Sequence, residues 1–182
     1  MPSAAFTLFD TPIGVCAVVW RSGARGLIGT QLPESSPQAT RVRVRRRFKG
    51  AVESRPDADV RQIATRITAL LHGTHDDLAD VPLDLHGLPA FHGRVYALAR
   101  SIPPGATCTY GELAARLGEP GAARAVGQAL GANPFPLIVP CHRILAAGQR
   151  AGGFSANGGV HTKLRLLQIE GAELGGVPGL FD

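Results

Sequence analysis

"TYGELAARLGEPGAARAVGQALGANPFPLIVPCHRIL", residues 109–145, contains two short helical segments separated by "EP", then a proline-stiffened apolar run that ends on a cysteine. Two helices joined by so tight a turn have the form of a helix-turn-helix, whose second member is the recognition helix. That second segment is nearly free of bulk: Ala122, Ala123, Ala125, Gly127, Ala129 and Gly131 surround Arg124, its one long cation. A helix that reads the major groove carries several polar side chains to base edges, and this one does not. Such smoothness suits either close helix packing or approach to the shallow minor groove.

Downstream, Pro134, Pro136 and Pro140 confine the backbone before each of them to extended forms, so Cys141 is presented at the end of a rigid segment. A thiol reacts as thiolate, and needs a base or positive surroundings to ionise near neutral pH. His142 and Arg143 supply candidates for both. Sequence neighbours point in different directions, so a bridging water is the expected link between the thiol and His142. The plainer alternative is a buried structural cysteine. Cys108 also precedes a helix, but no neighbouring side chain offers a base.

Before this stretch, "AAFTLFD", "VCAVVW" and "GLIGTQL" are short runs of β-formers bounded by the turns "TPIG" and "RSGA", the pattern of a β-meander. Ser36 stands before Pro37 as an N-cap, and "QATRVRVRRRF" follows as a helix with a basic exposed side. Val60, Ile63, Ala64, Ile67, Leu70 and Leu71 recur at helical spacing, with Asp57 placed to cap and Gly73 to stop. Residues 74–88 are acidic and polar with little period. They predict a linker between a domain at 1–88, which includes it, and a second at 89–182, which opens with Phe91, Val95, Leu98 and Ile102 on one helical face. The expected fold class is α/β, of the α+β kind: an N-terminal β-meander with helices, then a mostly helical domain with the helix-turn-helix and the Pro-Cys-His-Arg segment.

With 182 residues, 45% of them hydrophobic, the chain can bury a sizeable core. The formal charge of +5 rests almost wholly on arginine, the better side chain for phosphates and bases, and brings nucleic acid forward as a partner. Three cysteines without CxxC spacing argue against a disulfide framework or a zinc ribbon and fit a reducing compartment. No run approaches eighteen apolar residues and the N-terminus lacks a signal pattern, so a cytoplasmic protein with no membrane partner is expected. "RVRVRRRFK", residues 41–49, is a candidate second DNA contact, set against the commoner role of a solvated charged face. His72 and His75 lack further ligands nearby and are expected to be a polar helix end.

Taken together, "TYGELAARLGEPGAARAVGQALGAN", "NPFPLIVPCHRIL" and "GGFSANGGVHTKLRLLQIEG" resemble the O6-alkylguanine-DNA alkyltransferases, closely over residues 89–172 and more loosely before them. The resemblance implies irreversible transfer of the alkyl group from O6-alkylguanine in double-stranded DNA to Cys141, once per molecule and without a cofactor. O4-alkylthymine is a further substrate to be considered. It implies His142 as a base acting through water, Glu170 as the carboxylate that orients it, and Asn133 as the tie between recognition helix and active-site segment. Tyr110 matches the tyrosine whose hydroxyl donates to the leaving guanine. Arg124 matches the arginine that enters the duplex where the target nucleotide has been rotated out. Ala123, Ala125, Gly127, Tyr110 and Arg143 are expected against DNA in the minor groove, and Ile144, Phe154 and Ser155 around the alkyl pocket. A monomer is expected.

Some features depart from the family pattern. Phe154 stands where many members have Tyr, its loop is about two residues longer than the shortest in the family, and Gly131 replaces a basic residue found in some. The zinc ligands of animal members are missing, so no metal is expected. The alternative function is an alkyltransferase-like protein that binds the lesion without transfer. Such proteins typically replace the acceptor cysteine, which is present here. A Cys-His-Glu hydrolase leaves Arg124 unexplained, and a transcriptional regulator needs base-reading side chains that the second helix lacks.

Overall fold

The computed structural model describes residues 3–23 and 25–174. Strands β1 (Ala4–Thr11) and β2 (Gly14–Arg21) form an antiparallel hairpin in which Thr11 faces Gly14 across the turn. Strand β3 (Leu27–Gln31) continues the meander on the other edge of β2, and a register shift lies between Val19 and Trp20. A two-residue strand, β4 (Val52–Glu53), adds parallel to β1 and gives the order β3-β2-β1-β4. The sequence analysis missed β4, because two exposed residues leave no period to detect.

The apolar run of β2 is explained by cover on both faces, as in any strand buried on two sides. On one face Phe6, Ala17, Val19 and Ile28 pack with Val44 of helix α1 (Pro37–Arg47) and with Ala51. The ring of Phe48 sits so close over Gly29 that a Cβ there would collide with it. On the other face Cys16, Val18, Trp20 and Leu27 join Val60, Ile63, Ile67, Leu70 and Leu71 of helix α2 (Ala58–Leu71). Both N-caps are as expected: Ser36 accepts from the Ala39 amide at 3.1 Å and Asp57 from the Val60 amide at 2.9 Å.

Residues 74–88 are tightly held. Asp76 and Asp80 both bind the Arg66 guanidinium, and Arg100 Nη2 donates to the carbonyls of Leu78, Ala79 and Val81. Leu78 and Val81 are buried, and the Leu27 backbone exchanges hydrogen bonds with Pro82 and Asp84. The acidity that suggested a linker therefore serves a half-buried arginine. One buried cluster takes in side chains from both sides of residue 88.

Helix α3 (Ala90–Ala99) buries Val95, Tyr96 and Ala99, with Ile102 just beyond, while Phe91 and Leu98 pack at its edge. Strand β5 (Cys108–Thr109) leads into α4 (Tyr110–Arg116), whose start is fixed by a capping box between Thr109 and Glu112. Helix α5 (Ala123–Gly131) follows after the turn and packs on α3 and α4; the Tyr96 hydroxyl donates to its Ala129 carbonyl at 2.8 Å. A single 3-10 turn, Cys141–Arg143, precedes β6 (Ile144–Leu145), which pairs parallel with β5. Helix α6 (Val160–Ile169) closes the described chain, with Glu170 at its C-cap. Among the described residues no helix is long and apolar enough to cross a membrane.

Candidate active site

Cys141 stands where three pieces of the fold meet. The first is the segment after α5. Asn133 accepts the Phe135 amide at 2.8 Å through its side-chain oxygen and donates to the Val139 carbonyl at 3.0 Å. Between those anchors Leu137 takes a left-handed backbone (φ 76°), a costly conformation for a branched residue that the Asn133 clamp holds in place. The second piece is the meander. Strand β3 hydrogen-bonds this segment through the Thr30 amide to Pro134 (2.9 Å) and the Thr30 hydroxyl to Pro136 (2.7 Å). Arg47 adds Nη2 to the Pro134 carbonyl at 3.3 Å, while its Nη1 binds the Thr30 carbonyl and Gln31.

The third piece is the end of α6. Glu170 lies buried with His142 and Arg143: Oε1 is 2.8 Å from His142 Nε2 and 2.7 Å from Arg143 Nη2, and Oε2 accepts Arg143 Nε at 3.0 Å. Burial alone would raise the Glu170 carboxyl, but His142 and Arg143 reverse that and bring it down to about 2. A carboxylate so held accepts the His142 Nε2–H and leaves the Nδ1 lone pair to act as base. Nδ1 is buried and has no hydrogen-bond partner among the described residues.

Cys141 as a residue is half-buried. Desolvation raises its pKa, while the Asn133 side chain and the Lys163 ammonium pull it back. Lys163 is fully buried on α6, donates to the Ile144 carbonyl at 2.6 Å, and stands 5.8 Å from the centre of the Tyr110 ring. Burial lowers its pKa to about 8. The sequence reading missed it. Its signal was present: Lys163 shares the buried face of α6 with Leu166, Leu167 and Glu170, at helical spacing, and is one of only two lysines.

Tyr110, Gly127, Phe154 and Ser155 line a cavity that reaches Cys141. A Cβ on Gly127 would lie 3.9 Å from the Tyr110 ring, so the small residue leaves the tyrosine face open. Arg124 is exposed and makes no side-chain hydrogen bond or ion pair within the described residues; Ala123 and Ala125 flank it, half-buried. Two expectations need correction. Arg143 is 1% exposed, with its guanidinium shared between Glu170 and the Ile102 carbonyl, so it is no DNA contact. Ile144 is fully buried in the core and does not line the cavity; its carbonyl instead receives Lys163. The sequence could not separate an outward from an inward side chain within one 3-10 turn and the residue after it.

Cys108 is buried beneath the start of α4 at 2% exposure and lines neither of the cavities that reach Cys141, so it is the poorer candidate for a nucleophile. In the basic run, Arg41 pairs with Glu53 and the half-buried Arg47 is bonded to the Thr30 carbonyl, so the run is not uniformly a solvated face. His75 Nε2 lies 3.1 Å from the Glu170 carbonyl, a structural contact at the end of α6.

Comparison with known proteins points to one family. Residues 90–172 match the family described as 6-O-methylguanine DNA methyltransferase, DNA binding domain. A methylated-DNA–protein-cysteine methyltransferase of Methanothermobacter thermautotrophicus is 40% identical over 124 residues, 68% of this chain and 68% of the relative. A DNA base-flipping protein of Thermus thermophilus is 42% identical over 111 residues, 61% of this chain and 73% of that protein. The crystal structure of Mycobacterium tuberculosis OGT in complex with DNA superposes with a TM-score of 0.73 at 31% identity, covering 98% of this chain and 99% of that one. With its identity to the Methanothermobacter protein and a fold shared along nearly the whole mycobacterial chain, this protein belongs to the methylated-DNA–protein-cysteine methyltransferase family.

Proposed function

We propose that this protein repairs O6-alkylated guanine in double-stranded DNA by moving the alkyl group to Cys141, each molecule acting once. The observation that carries the reading is the buried His142, bonded to Glu170 on one nitrogen and unpartnered on the other among the described residues, directly after a half-buried cysteine. That arrangement orients an imidazole and leaves it one task, to accept a proton.

The thiol proton passes through one water to His142 Nδ1, and the imidazolium is stabilised by Glu170. Sulfur then attacks the alkyl carbon in line with O6. The sulfur–carbon bond forms, the carbon–O6 bond breaks, and its electron pair stays on the guanine. Tyr110 donates its hydroxyl hydrogen towards the base as that charge develops, and proton exchange with water restores the phenol. Lys163 adds positive charge near the thiolate. The thioether product has no activated bond for water to attack, so the thiol is not regenerated.

DNA is proposed to lie with its minor groove against α5, where Ala123, Ala125 and Gly127 allow close approach and Arg124 fills the space left by the rotated nucleotide. Phe154 and Ser155 border the alkyl group. The first 88 residues are proposed to act as a scaffold: β3 and Arg47 brace the segment that carries Cys141. The protein is proposed to work as a monomer in the cytoplasm.

The test is mass spectrometry after incubation with a duplex carrying one O6-methylguanine. Trypsin cleaves after Arg124 and Arg143, so the peptide 125–143 contains Cys141 alone of the three cysteines. One added methyl on that peptide, saturating at one per protein, is the expected result. Binding of the duplex with no methyl on Cys141 would replace transfer by lesion binding.

A further inference from the structure

Cys141 is reached by two cavities. One is the space beside Tyr110 and Gly127 described above. The other, of about 190 Å³, opens on the side of the meander and is lined by Gln31, Glu34, Arg43, Arg47 and Asn133. The two share Leu130, Gly131, Cys141, Phe154 and Ser155, so they meet beside Cys141. Nothing in the transfer of a methyl group uses the second.

The geometry of displacement gives it an occupant. Sulfur, reacting carbon and O6 lie on one line, so any further substituent on that carbon projects sideways from it. With guanine on the Tyr110 side, as the proposed function requires, the second cavity is the available space for that substituent.

The lining of this cavity is cationic. Arg43 lies close enough to Arg47 for the two guanidiniums to repel. Arg47 spends its hydrogen bonds on neutral acceptors, the carbonyls of Thr30 and Pro134 and the side chain of Gln31. Glu34 is the one carboxylate in the lining, 3.9 Å from Arg43 at its nearest. Two guanidiniums therefore face one carboxylate, which leaves the lining with an excess of positive charge.

We propose that the cavity formed by Gln31, Glu34, Arg43 and Arg47 beside Cys141 is a subsite for O6-alkyl tails that end in a carboxylate, of which O6-carboxymethylguanine in DNA is the simplest. Transfer follows the same balance as for methyl: the CH2 carbon bonds to sulfur, the carbon–O6 bond breaks, and the product is S-carboxymethylcysteine. Arg43 is the selecting residue because its guanidinium, unlike that of Arg47, is half-exposed and has only a long contact to Glu34.

The experiment compares single-turnover rates on duplexes carrying O6-methyl-, O6-carboxymethyl- or O6-carbamoylmethylguanine, the last being a neutral match in size. Intrinsic reactivity differs between the two longer groups but cancels when the wild-type protein is compared with Arg43→Gln. The expected result is a carboxymethyl-to-carbamoylmethyl rate ratio about fivefold lower in Arg43→Gln, the scale of one partly exposed charge pair, and lower again in Arg43→Glu. A ratio that does not move overturns the subsite. Equal slowing of all three duplexes also overturns it, and identifies Arg43 as a contact to a flanking phosphate. Failure of methyl transfer in the wild type is a separate result, and removes the proposed function together with the subsite that rests on it.

Discussion

His142 Nε2 lies 2.8 Å from Glu170 Oε1, a contact between the turn that carries the acceptor cysteine and the C-terminal end of α6. Glu170→Gln keeps the shape but lets the amide present a donor to Nε2, which favours the wrong tautomer. The single-turnover rate from O6-methylguanine duplex is expected to fall about a hundredfold or more, by analogy with orienting carboxylates elsewhere. The same substitution carries a stability signature. The Glu170 carboxyl is lowered from 4.5 to about 2, so its contribution is present above the unfolded value and is lost as pH falls from about 4.5 towards 2. Denaturant unfolding across that window is expected to show a loss of roughly 3 kcal/mol that Glu170→Gln lacks.

Arg143 has the opposite profile from a DNA contact. Its removal leaves Glu170 with less compensation and the Ile102 carbonyl without its donor. Arg143→Ala is expected to cost about 3–5 kcal/mol in urea unfolding. The salt dependence of DNA binding, measured on whatever fraction stays folded, is expected to keep its slope, since a buried guanidinium displaces no counterion.

Arg124 is expected to behave in the reverse way. Arg124→Ala leaves the unfolding curve unchanged because the side chain is exposed and unpaired within the described residues. Transfer from duplex is expected to slow by about tenfold to a hundredfold, the scale of the extrusion cost it offsets. Transfer from free O6-methylguanine base, which needs no extrusion, is expected to be unaffected. Equal slowing on both would place Arg124 in the chemistry instead.

Lys163 couples stability and reaction. Its pKa falls from 10.5 to about 8 on burial, so the unfolded chain binds the proton more readily between those values. Stability contributed by this group therefore rises with pH from about 8 to 10.5. Lys163→Met abolishes that rise in unfolding measurements. The same variant removes the cation beside Cys141, raises the thiol pKa further, and is expected to slow iodoacetamide labelling and alkyl transfer alike by about tenfold.

Much of the fold was legible because its signals are local. The caps at Ser36 and Asp57, the buried face of α2 and the meander hairpins depend on residues within a few positions of each other. The positions β4 and β6 each consist of two residues whose partners lie far away in the chain, and no short-range period announces them. Residues 74–88 show the same limit: composition indicated polarity, but only packing reveals that Asp76 and Asp80 are spent on Arg66.

At the site, residue type and spacing within residues 109–145 pointed to the cysteine, the histidine beside it and the bare second helix, while the asparagine clamp was legible only through the family resemblance. Tertiary structure alone decided that Arg143 turns inward, that Lys163 is a buried cation near the thiol, and that Arg43 and Arg47 open a second cavity onto Cys141. The physical reason is that charge, desolvation and hydrogen-bond satisfaction are set by groups brought together from β3, α1 and α6. Their separation along the chain carries no trace of their distance in space.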